Sequence, residues 1–152
     1  MRDGWCFRWS IIEVFRRVAM SIIPQILDRL RDRPSLPVRV EGDTLTVDPA
    51  GPESFSVWFH ERGAGYVVGF DGWHEHFTSE GEALDCFAFG LGGDCRLKVI
   101  YRGGFPHRWT LEVKADGGWR EESTTGLLLF PFWRRPRIVY RRNRPVTGTA
   151  EL

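Results

Sequence analysis

The segment Trp73-His74-Glu75-His76-Phe77 holds the residues best suited to chemistry in this chain. Two histidines at i and i+2 point the same way from an extended chain, so both can reach one metal ion through their imidazole nitrogens. A complete centre needs a third or fourth ligand, and His60, Cys86, Cys95 and His107 are the candidates the sequence offers. None of them stands at the spacing of a zinc motif, and the pattern is not H-E-x-x-H, where both histidines share a helical face. In a strand Glu75 turns away from His74 and His76, so the three cannot act together as acid and base without a bulge. The structural reading places Trp73 and Phe77 in the core and leaves the histidine pair on a polar face.

A second group lies near the C-terminus, in "FPFWRRPRIVYRRNRP". Trp133, Arg134, Arg135, Arg137, Tyr140, Arg141 and Arg142, with Phe132 and Arg144 beside them, mix guanidinium groups with aromatic rings. Guanidinium pairs with phosphate and rings stack on bases, which points to an acidic protein or a single-stranded nucleic acid as partner. Six neutralised phosphates would make log affinity fall with log salt at a slope of roughly −4 to −5. The competing reading is that these arginines neutralise acids within the fold or guard an edge strand. Arginine is favoured throughout, with nineteen against two lysines. No nucleophile elbow, phosphate-cradling glycine loop or dinucleotide fingerprint occurs, and no cofactor is expected.

The charge is segregated along the chain. Net charge is +1 overall, yet residues 41–94 contain eleven acids against the single Arg62, and the flanking segments are basic. Such segments either neutralise one another on folding or create a dipolar surface that steers a charged partner. Cys6, Cys86 and Cys95 form no C-x-x-C pair, which argues for a reducing, cytoplasmic setting. Glu13, Arg16 and Arg17 interrupt the first apolar stretch, against both a secretory signal and a membrane span.

The elements that would position these groups follow from periodicity. Residues 1–20 are an N-terminal extension, either helical or the product of an upstream start site, since Met20 opens a good native N-terminus in "MSIIPQILDRLRDRP". If the extension is native, Trp5, Phe7 and Trp9 with nearby arginines could dock on a membrane surface or a partner. A short helix begins near Ser21 with Pro24 in its first turn and ends before Pro34. The period then changes to two. Hairpins are expected through Gly42-Asp43, Gly63-Ala64-Gly65 and Gly103-Gly104. Ser79 and Glu82 form a capping box for a helix over residues 80–91, with Ala83, Leu84, Phe87, Ala88 and Leu91 on its apolar face and Gly92-Gly93 as its stop.

Further strands are expected in "CRLKVIYR" and "HRWTLEVKA", each half-buried with one wet face. Asp116-Gly117-Gly118 then leads into "WREES", and strands are also expected in "GLLLFPFW" and "RIVYR", which Pro131 and Pro136 confine to edges or bulges. "VWFHERGAGYVVGFDGW" faintly echoes "VIYRGGFPHRWTLEVKADGGW": strand, glycine turn, strand, then Asp-Gly and Trp. These features specify an α+β fold over residues 21–143, a single two-layer domain, with residues 144–152 a loose tail. The expected layout is one antiparallel sheet of about six or seven strands carrying both helices on one face. The functional expectation is a small binding or interaction protein without intrinsic catalysis, using a polar sheet face or the arginine-aromatic segment. An enzyme centred on His74 and His76 is the alternative.

Overall fold

The computed structural model describes residues 21–144. The expectations for residues 1–20 and for the tail beyond Arg144 lie outside them. Two helices, α1 (Ile23–Leu30) and α2 (Glu80–Leu91), accompany nine strands in the described chain. Strands β1 (Val38–Glu41), β2 (Thr44–Val47), β3 (Val57–Arg62), β4 (Gly65–Phe70) and β5 (Trp73–Phe77) form one antiparallel sheet in sequence order. Strands β6 (Cys95–Arg102), β7 (Phe105–Ala115), β8 (Gly118–Gly126) and β9 (Pro136–Arg141) form a second, in the order β8-β7-β6-β9.

The α+β class stands, but the single sheet of six or seven strands is replaced by sheets of five and four strands. The division falls at α2, because the chain passes through the helix and Gly92-Gly93 instead of turning back beside β5. Alternation fixes which face of a strand is buried, and says nothing about which sheet the strand joins.

One contiguous core includes side chains from both sheets and both helices. Leu45, Val57, Phe59, Val68 and Phe70 come from the first sheet, and Leu97, Val99 and Leu111 from the second. Ile22, Ile23 and Ile26 at the first helix and Ala83, Phe87 and Leu91 of α2 complete it. Helix α2 starts as its sequence dictates, with the Glu82 backbone N–H donating to Ser79 Oγ at 3.4 Å. Its buried face is Ala83, Phe87, Gly90 and Leu91. Gly90 adds to the expected face, and a Cβ there would come within 2.2 Å of the Phe70 ring on β4.

Two ties fasten the sheets together. Trp73 is buried at the start of β5, and its indole N–H donates to Ser123 Oγ on β8 at 2.9 Å. Asp71, in the turn between β4 and β5 at φ +48°, accepts from the Ser56 backbone N–H (2.9 Å) and hydroxyl (3.0 Å) and from Arg141 of β9 (2.7 Å). A left-handed non-glycine residue is uncommon, and aspartate tolerates it because its short side chain can bond locally.

The internal echo corresponds to two three-stranded meanders, β3-β4-β5 and β6-β7-β8, one in each sheet. Trp73 of the first lies in the core. Trp119 of the second is half-buried, with Arg96 and Arg142 over its ring.

"GLLLFPFW" is the one expected strand that does not form. Gly126 ends β8, and residues 127–135 run as a loop to β9. Pro131 removes a ladder donor from this stretch, and its apolar residues do not alternate.

Candidate functional site

His74 and His76 project from β5 on the outer face of the first sheet, both exposed, with ring centroids 5.8 Å apart. The face is set by the register: His60 pairs with Val67 and Val67 with His76, while Trp58 pairs with Gly69 and Gly69 with His74. Trp58 lies over Gly69, where a Cβ would come within 2.1 Å of its ring, and donates its indole N–H to the Asp71 carbonyl at 3.1 Å. His60 thus shares the face, but Val67 intervenes and two strand spacings, about 10 Å, separate it from His76. Its Nδ1 is engaged with the Thr44 hydroxyl at 2.8 Å.

The other candidate ligands are elsewhere. Cys95 is buried in the core, Cys86 is on α2, and His107 is buried in the second sheet. Among the described residues no three His, Cys, Asp or Glu side chains come together to hold a metal. Burial pushes both described thiols up to about 12, with Glu75 adding to the effect at Cys86. Both are protonated at neutral pH and poor nucleophiles.

The C-terminal arginines divide by what they touch. Arg141 donates to Asp71 and to the Tyr101 hydroxyl (2.8 Å), joining β9 to the β4–β5 turn. Arg142 donates to the Gly93 carbonyl (2.7 Å), and Arg144 pairs with Glu53 at 3.6 Å. Arg137 lies over the Tyr101 ring at 5.1 Å. Tyr140 stacks with Arg96, whose guanidinium is 4.3 Å from its centroid and 4.6 Å from that of Trp119. Arg96 is also paired with the buried Glu112 at 2.5 Å. This ladder of rings and guanidinium groups covers the second face of the sheet, which explains why Thr110 and Glu112 are buried where strand alternation expects them wet. An open cleft of about 580 Å³ runs beside Arg96, Trp119, Tyr140, Arg142 and Glu53. Each of its two rings already has an arginine over it, which competes with base stacking.

Arg134 and Arg135 remain, exposed and without a side-chain hydrogen bond or ion pair among the described residues, and Trp133 stands beside them. They close the apolar loop 127–135. Leu128 is 96% exposed, Leu129 92%, Phe132 72% and Trp133 70%. The loop is nevertheless held. Leu127 N–H donates to the His107 carbonyl (2.8 Å), and Arg134 N–H to the Pro131 carbonyl (3.0 Å). Arg102 donates to the carbonyls of Phe132 (2.8 Å) and Arg134 (2.7 Å). Phe130 folds back and stacks on the buried His107 ring, with centroids 4.2 Å apart. Burial, then Arg102 and Arg108, lower the His107 pKa, and the Ile100 backbone pulls weakly the other way. His107 Nδ1 has no hydrogen-bond partner among the described residues.

The structure thus gathers Trp133, Arg134 and Arg135 at one end of the second sheet. It assigns Arg137, Tyr140, Arg141 and Arg142 to internal contacts, and sets His74 and His76 apart on the other sheet. Leu127, Leu128, Leu129 and Phe105 are not among the site residues the sequence suggests, and the leucines fall in a segment expected to be a strand. Four consecutive apolar residues followed by proline, with no polar alternation, was the available signal. No protein-family model, curated protein or solved structure matches the chain.

Proposed function

We propose that this protein is a binding module without catalysis of its own, and that its contact surface is the end of the second sheet formed by loop 127–135 and the Gly103-Gly104 turn. The observation that carries this reading is the set of large apolar side chains held in solvent on an anchored loop, beside Arg134 and Arg135, whose side chains have no hydrogen bond or ion pair among the described residues. Isolated exposed apolar residues are ordinary, whereas a contiguous set rimmed by charge marks an interaction surface. The partner this surface suits is anionic and offers an apolar layer. The raised thiol pKa values and the scattered histidines give a reaction centre no comparable support.

The test is a photo-crosslinking residue placed at Leu129 in living cells, with Asp85 on the exposed side of α2 as the comparison site. Adducts to lipid, protein or nucleic acid at 129 and none at 85 are the expected result. Equal labelling at both positions, or none at 129, would remove the proposed surface.

A further inference from the structure

We infer that loop 127–135 is a wedge that docks on an anionic lipid bilayer, its leucines and aromatic rings entering the interface and its arginines resting on the headgroups. This rests on the contact surface proposed above and names its partner.

Charge and shape together favour a bilayer. Five arginines, Arg102, Arg108, Arg134, Arg135 and Arg137, belong to this end of the sheet, and residues 97–111 and 123–144 contain no Asp or Glu. The nearest acids along the ladder, Glu112, Glu121 and Glu122, are paired with Arg96, Lys98 and Arg120. The local field is therefore positive although the chain is nearly neutral, and it complements anionic headgroups.

The apolar residues are consecutive and stand out from an anchored backbone. Leu128 and Leu129 are almost fully exposed, Phe132 and Trp133 meet edge to face at 5.2 Å, and Phe105 is 68% exposed in the neighbouring turn. A protruding tip of this kind requires a matching groove on a protein partner, whereas a bilayer accommodates it without one. Aliphatic side chains suit the acyl layer, Trp and Phe the boundary, and arginine can extend its stem while keeping its charge among phosphates. Nucleic acid would have no use for three leucines. The clamp by Arg102 and the Phe130–His107 stack keep the tip presented, so little ordering is left for the docking step.

The experiment uses the full chain and sucrose-loaded vesicles of phosphatidylcholine, with and without 30% phosphatidylglycerol as roughly the charge of an anionic membrane. Co-sedimentation with the anionic vesicles, falling steeply with salt, and little with the neutral ones is expected. Leu128→Ser with Leu129→Ser should weaken partitioning by about ten-fold per leucine. Arg134→Gln with Arg135→Gln should weaken it by about five-fold per arginine. Arg29→Gln with Arg31→Gln on α1 should leave it unchanged. All six positions are exposed, so thermal melting of each variant separates lost docking from lost folding.

Absence of wild-type binding to anionic vesicles, or binding indifferent to the leucine pair, would overturn the proposal. So would a leucine-dependent dimer in sedimentation velocity, which would make a second copy the occupant. If vesicles fail while Leu129 still crosslinks to protein or nucleic acid in cells, the bilayer is refuted and the contact surface stands. If both fail, both are refuted.

Discussion

Helix α2 contains two glycines at which the same substitution should act in opposite directions. A Cβ built on Gly90 would lie 2.2 Å from Cε1, 2.6 Å from Cζ and 2.9 Å from Cδ1 of Phe70. Carbon atoms pack at about 3.5–4.0 Å, so more than 1 Å must be found. The Phe70 ring has little room to give: it is fully buried, stacked on Trp73 at 4.8 Å and tilted against Phe55 at 5.4 Å. Overpacking a core costs about 1–3 kcal/mol, and a clash of this depth belongs at the upper end. Replacing glycine by alanine inside a helix returns about 1 kcal/mol. Gly90→Ala should therefore lose about 2 kcal/mol net.

Gly81→Ala keeps the propensity gain without the clash, since its Cβ would meet only Ser79 Oγ at 3.9 Å. It should gain up to about 1 kcal/mol, less for a position in the first turn. Urea unfolding of both variants with unchanged m-values measures the pair. At about 4 °C per kcal/mol for a chain of this size, melting should fall by about 8 °C in the first and rise by a few degrees in the second. If Gly90→Ala is as stable as Gly81→Ala, the helix does not sit on the sheet at Phe70 as described.

Arg141→Ala should destabilise by about 1–3 kcal/mol in the same assay, because it strips a charged donor from Asp71 and Tyr101 in a half-buried position. Arg141→Lys should recover little, since one ammonium cannot reproduce two divergent guanidinium bonds. His107 has a folded pKa below its unfolded value of about 6.5, so its contribution is fully present above that pH and is lost as pH falls through the folded value. His107→Phe retains a ring against Phe130 and should flatten the loss of stability below pH 6.5, measured by melting from pH 8 to 5. A wild-type profile level through that window would contradict it. Cys86 and Cys95, with thiols pushed up to about 12, should react with a disulfide reagent at pH 8 far more slowly in the native chain than in urea.

Local structure was largely legible in the sequence. Period-two alternation and glycine pairs located the hairpins at Gly42-Asp43 and Gly103-Gly104, where Gly42, Gly103 and Gly104 take positive φ. Ser79 and Glu82 located α2. Strand alternation correctly separated Glu75 from the two histidines. Partition into two sheets was not legible, since no local pattern says that β5 will stay unpaired on its far edge. Nor was the role of each arginine. Arg141 and Arg134 look alike in sequence, and only the register places one opposite Leu97, within reach of Asp71, and leaves the other in a loop. The exposed loop was misread because burial is the usual fate of a leucine run.

The strand order β8-β7-β6-β9 has a consequence for how the chain is put together. Every other neighbouring pair in the two sheets is consecutive in the chain, while β9 passes β8 and β7 to reach β6. Its docking closes the longest sheet contact and should come late in folding. Until then β6 presents a bare edge, and the apolar segment that tethers β9 is free of its anchors at Arg102 and His107. At high concentration, β9 of one chain can complete β6 of another with the same ladder bonds. Strand exchange is thus the natural assembly error of this topology, and its tether is the loop offered above for docking.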